Sequence, residues 1–259
     1  MDYLVDGSLY SLFSLLDCIG EAGTGERHIC QSDHYQMSLL TPFTVHKTDQ
    51  QRAQHFFKNL DNTLGERIVR SVLTAYLSDD PGRFDAIDRF LQQARRDGKK
   101  VYHQINHQVT PLLTLERAVE RERHRFLGLL RFKRLKGDIY YAAFEPTYDL
   151  CVLLVDHFAE RMKQEYFIIH DIKRQKAVFY NKKTWATSDL AQVDEQYHQE
   201  ELAFQSFWKK YHRQIAIAER KNLSLQRSFM PKKYWNYLPE MDRSEALTTE
   251  GLPILTDIR

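Results

Sequence analysis

Apolar residues recur along the chain with two periods, and the alternation between those periods predicts the elements. Residues 3–5 form a short apolar run, Asp6-Gly7-Ser8 follows, and Leu9, Leu12, Phe13, Leu16 and Ile19 then repeat at helical spacing. This predicts a strand, a turn and a helix, with Ser8 as an N-cap whose hydroxyl serves the first turn. Residues 20–30 are polar and contain glycine, which predicts a loop. An extended piece at 43–46 precedes predicted helices over about 49–60 and 64–77, and Asp79-Asp80-Pro81-Gly82 marks a turn. A helix over about 84–96 then ends at Gly98, a residue suited to a left-handed C-terminal cap.

The second half of the chain reads differently. Residues 101–110 are a polar connector, and from Pro111 the positions Leu112, Leu115, Val119, Phe126 and Leu130 trace one long helix with a single apolar stripe. Arg123 occupies a slot of that stripe and is expected to face inward. Three strand-like runs follow at 139–144, 166–170 and 177–181, interrupted by a predicted helix at 150–162 and a tight polar turn at 171–175. A last helix, at about 194–220, carries Leu202, Phe207, Tyr211, Ile215 and Ala218 in a drifting stripe, and a loop at 221–235 follows it. Together these elements predict an α+β fold. A helix-rich N-terminal region with short strands occupies 1–106, and an α+β domain occupies 107–238, where long helices flank a small, mostly antiparallel sheet that leads to a basic aromatic C-terminal segment. A polar tail occupies 239–259.

Composition narrows the class without naming a reaction. With 259 residues, 42% hydrophobic, the chain is long enough to bury a substantial core, and its 10 Gly and 7 Pro exclude collagen-like and low-complexity readings. The opening Met1-Asp2-Tyr3 lacks the basic start of a signal peptide, and no apolar run approaches the roughly 20 residues that cross a bilayer. A soluble, cytoplasmic protein without a membrane partner is expected. Cys18, Cys30 and Cys151 form no close pair, which argues against a disulfide framework, a zinc knuckle or an iron–sulfur cluster, so no metal and no cofactor are assigned.

Charge changes the picture more than composition does. The net charge is only +2, yet 117–136 carries +6 and 204–237 carries +7, leaving −11 on the remainder. An acidic body with two basic segments suits a protein that turns one face to a polyanion. In the second segment Arg220, Lys221, Arg227, Lys232 and Lys233 alternate with Phe229, Tyr234, Trp235 and Tyr237, a mixture that neutralises phosphates and offers flat faces to bases. The competing reading packs those rings into the core and leaves the cations solvated. In the first segment Arg121 and Arg125 share a helix face, whereas Arg123 is either a phosphate anchor or one half of a buried ion pair, because an unpaired buried guanidinium is too costly.

Other candidates carry less. His170 and Asp171 are adjacent in a strand and so point to opposite faces, which leaves Asp171 as a turn former rather than a dyad partner. His124, His157 and His170 have no metal-motif spacing. Gly20, Gly23 and Gly25 follow a helix rather than a strand, unlike a phosphate loop, whereas Asp6-Gly7-Ser8 could receive an anion at backbone amides but is explained by ordinary capping.

The residues at 217–240, together with Phe-Leu-Gly-Leu-Leu-Arg-Phe at 126–132, Tyr-Tyr-Ala at 140–142, His-Phe-Ala-Glu-Arg at 157–161, Phe-Ile-Ile-His-Asp at 167–171 and Tyr-Leu-Val-Asp-Gly-Ser at 3–8, resemble a bacterial family of DNA-metabolism proteins of unknown function. The resemblance spans nearly the whole chain. It implies association with a radical S-adenosylmethionine protein of DNA modification or repair, and a related domain occurs fused to uracil-DNA glycosylases. The chain itself lacks the Cys-x-x-x-Cys-x-x-Cys run of a radical enzyme. The expectation is a DNA-associated accessory or repair protein that binds nucleic acid, DNA above all, beside such an enzyme. Two alternatives stand beside it: a nuclease or nucleotide-processing enzyme using Glu160, Asp171 or Glu219, and a pure protein-interaction subunit.

Overall fold

The computed structural model describes residues 1–20, 27–37, 40–217, 220 and 222–241. The chain folds into two compact units, Met1–Glu122 and Arg123–Arg259, and the fold is α+β. Among the described residues no helix is long and apolar enough to cross a membrane.

The first unit opens with β1 (Asp2–Val5) and α1 (Leu9–Ile19), and Ser8 caps α1 by accepting a hydrogen bond from the Ser11 amide at 3.0 Å. Such a cap contributes about 1 kcal/mol to the helix. Two further strands, β2 (His28–Gln31) and β3 (Phe43–Val45), lie parallel to β1 on either side of it. The strand β2 falls inside the polar stretch expected to be a loop. It is held there because Asp85 accepts from the Ile29 amide at 2.6 Å and Asp88 receives the Arg27 guanidinium at 2.7 and 2.8 Å. Those two carboxylates stand on α4 (Arg83–Asp97), which follows α2 (Gln50–Leu64) and α3 (Glu66–Tyr76). Asp49 caps α2, and α4 ends at Gly98 with φ +57°, the left-handed conformation expected from the sequence. Leu12, Ile68, Val72, Phe84 and Phe90 centre the core. Residues 101–110 are not a free connector: a 3-10 turn spans Gly98–His103, and Val101 and Val109 are fully buried in this core beside Leu112. The helix that follows, α5, runs Thr110–Leu129.

The second unit is built on a five-stranded sheet in sequence order: β4 (Lys133–Leu135), β5 (Ile139–Phe144), β6 (Tyr166–Asp171), β7 (Lys176–Asn181) and β8 (Trp185–Asp189). Only β5 and β6 pair in parallel, and parallel neighbours need a crossover, supplied by α6 (Cys151–Arg161). The β4–β5 turn places Gly137 at φ +83° and Asp138 at φ +59°, so two successive left-handed residues reverse the chain, and Asp138 accepts from Arg134 at 2.7 Å. Fully buried Phe144, Leu154, Val155, Phe167, Ile169 and Val178 fill the space between sheet and helix. All five residues of β8 are exposed, as suits an edge strand.

The last long helix is shorter than its sequence pattern: α7 covers Glu201–Ile215, because residues before it are drawn into the sheet edge, where Tyr197 bridges Leu135 and the His198 amide donates to Arg134 at 2.9 Å. The segment beyond it is not a plain loop. It holds α8 (Leu223–Phe229) and a 3-10 turn at Lys232–Tyr237. Of the tail read at 239–259, residues 242–259 lie outside the described residues.

Candidate nucleic-acid interface

Local chemistry shapes the C-terminal segment of the second unit. Asn222 caps α8 by accepting from the Leu225 amide at 2.9 Å, and Pro231, at φ −52°, follows the end of that helix and leads into the 3-10 turn. Three anchors then hold the turn. Tyr234 is buried with its ring edge-on to Phe126, centroids 4.7 Å apart. Trp235 donates its indole N–H to the Met230 carbonyl at 3.0 Å, and Leu238 is buried. Beyond the turn, the Glu240 side chain is only 2% exposed and accepts from Arg131 at 2.7 Å and from the Trp208 indole at 3.0 Å. Burial pushes the Glu240 carboxyl up, but the Arg131 guanidinium and the Trp208 indole more than offset it and hold the group below its usual value.

These anchors frame a cleft of about 740 Å³. Lys209 of α7, Arg227 of α8, Lys232 and Trp235 of the turn, and Lys133 of β4 line it, with Gln205, Asn236 and Tyr237 adding polar groups. Among the described residues no acidic side chain lines the cleft. The two basic segments of the sequence therefore meet here, one through Lys133 and the other through the remaining three cations. Arg227 and Lys232 are exposed and have no carboxylate partner among the described residues. Lys133 differs. Its ammonium donates to Tyr197 at 3.2 Å and to Glu195 at 3.3 Å, and although burial works against the charge, those partners raise its pKa above that of an ordinary lysine. Among the described residues, Lys133 is thus neutralised internally, whereas Arg227 and Lys232 line the cleft beside an indole without a carboxylate partner.

The remaining sequence candidates scatter. Arg220 is exposed and does not line the cleft, and Lys221 lies outside the described residues. Lys233 is turned away, donating to the Thr147 hydroxyl, with its ammonium 4.9 Å from the Tyr234 ring centroid. Tyr234 is a core residue, so its ring is not offered to a base. Trp235 is half-buried and edges the cleft. Arg121, in the first unit, is exposed; Arg125, in the second, is half-buried and donates to the Ser228 carbonyl at 3.4 Å. Arg123 is half-buried rather than enclosed, and it is Glu122, 3% exposed, that carries the buried charge on this stretch of α5. Lys209 stands inside the more basic segment, where nothing in the sequence distinguishes it from its neighbours.

The titratable groups of the sheet are engaged structurally. His170 is fully buried between the Tyr141 hydroxyl, 2.8 Å from Nδ1, and the Leu190 carbonyl, 2.7 Å from Nε2. A carbonyl can only accept, so Nε2 carries the proton and Nδ1 accepts from Tyr141. Asp171, also fully buried, receives Arg174 at 2.8 Å and the Arg174 amide at 3.2 Å, which is the turn-forming role expected of it. The Cys151 thiol is pushed up to about 12 by burial, which leaves it unreactive. Glu160 and His124 are exposed, Glu219 lies outside the described residues, as do Gly23 and Gly25, and no group of three His, Cys, Asp or Glu able to hold a metal occurs among the described residues.

Compared with known proteins, residues 81–240 match the model of a family described as a domain of unknown function, DUF4130. No curated protein matches the chain.

Proposed function

The chain belongs to that family of unknown function, and on this premise we propose that it is a nucleic-acid-binding accessory protein of DNA modification or repair, working beside a radical S-adenosylmethionine enzyme. The observation that carries the binding reading is the pair Arg227 and Lys232, two cations without carboxylate partners among the described residues, lining one cleft with Trp235. Phosphate neutralisation by such cations supplies sequence-independent affinity, and an indole at the same site supplies a stacking face. A cleft of about 740 Å³ is of the size that encloses small ligands, so it suits a nucleotide or two of a flexible strand better than an intact duplex. The partner enzyme enters the reading through the resemblance of 126–132, 157–161 and 217–240 to the DNA-metabolism family, and the structural engagement of His170, Asp171 and Cys151 supports an accessory role over a catalytic one at those residues.

The deciding experiment is equilibrium binding of the full chain to a labelled single-stranded DNA and to its duplex across a salt series. Tighter binding of the single strand, weakening steadily as salt rises, is the expected result. Salt-independent binding, or none at low salt, would sink the reading.

A further inference from the structure

The stripe that the sequence presents on α7 as a core face is not buried: Phe204, Phe207, Tyr211 and Ile215 are all more than half exposed. The helix instead turns Glu201, Gln205 and Trp208 toward its own unit, where they wall a second cavity, of about 480 Å³, with the C-terminal ends of α5 and α6. Its lining is aromatic on several sides. Phe132 and Phe158 meet edge-on with centroids 5.1 Å apart, and Phe204 stands exposed at the rim. Trp208 is fixed by its indole bond to Glu240 and by the Arg131 guanidinium, 5.5 Å from its ring centroid. A preformed cavity of this size, apolar with a few polar groups, suits a small ligand, and ring walls suit a flat one. Gly128, near the end of α5, lines the same cavity. Glycine within a helix is destabilising relative to alanine. Neither a left-handed backbone nor close packing requires it here, because a Cβ at this position would meet no neighbouring group within 4 Å among the described residues.

Polar groups and position identify the occupant. Gln205 donates its amide nitrogen to Glu201 at 2.8 Å, and because an ionised carboxylate only accepts, the group left for a ligand is the Gln205 carbonyl oxygen. An acceptor there suits a flat ligand that carries an N–H, which every nucleobase has on its pairing edge and a hydrocarbon chain lacks. The cavity shares Lys133, Gln205 and Pro239 with the cationic cleft, and a base is only one sugar away from its own phosphate. Arg161, exposed and without a carboxylate partner among the described residues, adds a further cation to the lining. Resting on the nucleic-acid reading of the cleft, we propose that this cavity takes one unpaired nucleobase of a strand whose phosphates lie at Arg227 and Lys232. The base stacks among Phe132, Phe204 and Trp208 and gives its N–H to Gln205. A duplex would have to unpair and unstack that base first, which gives the preference for single strands a structural source.

The test uses the full chain and two fluorescein-labelled strands of about twelve nucleotides, one of oligothymidylate and one with an abasic tetrahydrofuran at every position. Equal charge gives both the same phosphate contacts, so the ratio of their affinities isolates the bases. Oligothymidylate should bind at least about tenfold more tightly. Gly128→Leu places a side chain in the cavity from a position where its Cβ meets open space, and Phe204→Ala removes an exposed ring. Each should lower the ratio by at least about fivefold without lowering the melting temperature. Trp235 is unchanged in both variants, so stacking in the cleft cannot mimic the loss. Decanoate, an apolar competitor, should leave the ratio as it is. Equal affinity for the two strands, or a ratio that both variants keep, overturns the proposal and leaves the cationic cleft standing. Displacement of oligothymidylate alone by decanoate assigns the cavity to an apolar ligand and overturns it too. Failure of both strands to bind removes the reading of the cleft as well.

Discussion

Arg131 and Glu240, 109 residues apart in sequence, meet through two hydrogen bonds to one carboxylate oxygen, at 2.7 and 3.1 Å, while the other oxygen accepts from Trp208 at 3.0 Å. Replacing the carboxylate by an amide, Glu240→Gln, keeps the shape but leaves the partly buried guanidinium unpaired, at a cost of about 1–3 kcal/mol. The pH dependence has a definite sign. A carboxyl held below its usual value stabilises the fold above the ordinary carboxylate range, and that contribution is lost as pH falls through the folded value. Denaturant unfolding should therefore separate Glu240→Gln from the parent at pH 7 and bring the two together under strongly acidic conditions. Coincident curves at pH 7 would show that the latch contributes nothing.

The cations of the C-terminal segment should divide by what they already touch. Arg227→Gln and Lys232→Gln should each lower the salt slope of single-strand binding by about 0.7, one phosphate contact apiece. Lys233→Gln should leave the slope alone, because Lys233 is bound to Thr147 outside the cleft. Equal effects from all three would mean that the segment attracts DNA as diffuse charge.

Adjacent rings should behave oppositely. Tyr234→Ala removes a side chain that is 2% exposed and packed on Phe126, and should cost about 3–5 kcal/mol of stability. Trp235→Ala removes a half-buried ring at the edge of the cleft, and should cost about 1–3 kcal/mol of single-strand affinity with little change in salt slope. Thermal melts and anisotropy on both variants check this; a Trp235 variant with parental affinity would take the indole out of the interface.

His170 gives a prediction that DNA does not enter. Burial lowers its pKa below the ordinary imidazole value, so its neutral form is favoured in the fold. The stabilisation is complete above the ordinary value and is lost as pH falls through the lower, folded one. Nitrogen-15 spectra should show the Nε2–H tautomer and a ring that stays neutral at a pH where exposed histidines have charged. A ring titrating like its exposed counterparts would contradict the bonding to Tyr141 and Leu190.

Much of the architecture is legible in the pattern of residues, and the exceptions share a cause. The strands β1, β5, β6 and β7 and the helices α1 and α4 carry their own periodicity and caps, so local sequence suffices to place them. The strand β2 has only four residues in a polar stretch and exists because Asp85 and Asp88, more than fifty residues later, hold it beside β1. The strand β8 has no buried face to impose a pattern, and only its pairing with β7 defines it. The apolar spacing at 202–218 does predict a helix, but spacing cannot say whether a stripe meets a core or solvent. The interface follows the same rule. Two basic segments are visible as sums of charge, yet which cations converge depends on where Tyr234, Trp208 and Glu240 fasten the chain, and those anchors draw Lys233 aside while leaving Lys232 in the cleft.

The rim residues Pro239 and Met241 and the latch at Glu240 all lie downstream of the four cations they enclose. Attraction and discrimination are consequently separable along the chain. If the cleft binds nucleic acid as proposed, a chain ending before Pro239 would keep Lys133, Lys209, Arg227 and Lys232, and so would still gather polyanions, but it would have lost the contour that decides which of them fit. Damage to the distal end should thus appear as promiscuity rather than as silence, with duplex and unrelated polyanions competing where a single strand had been preferred.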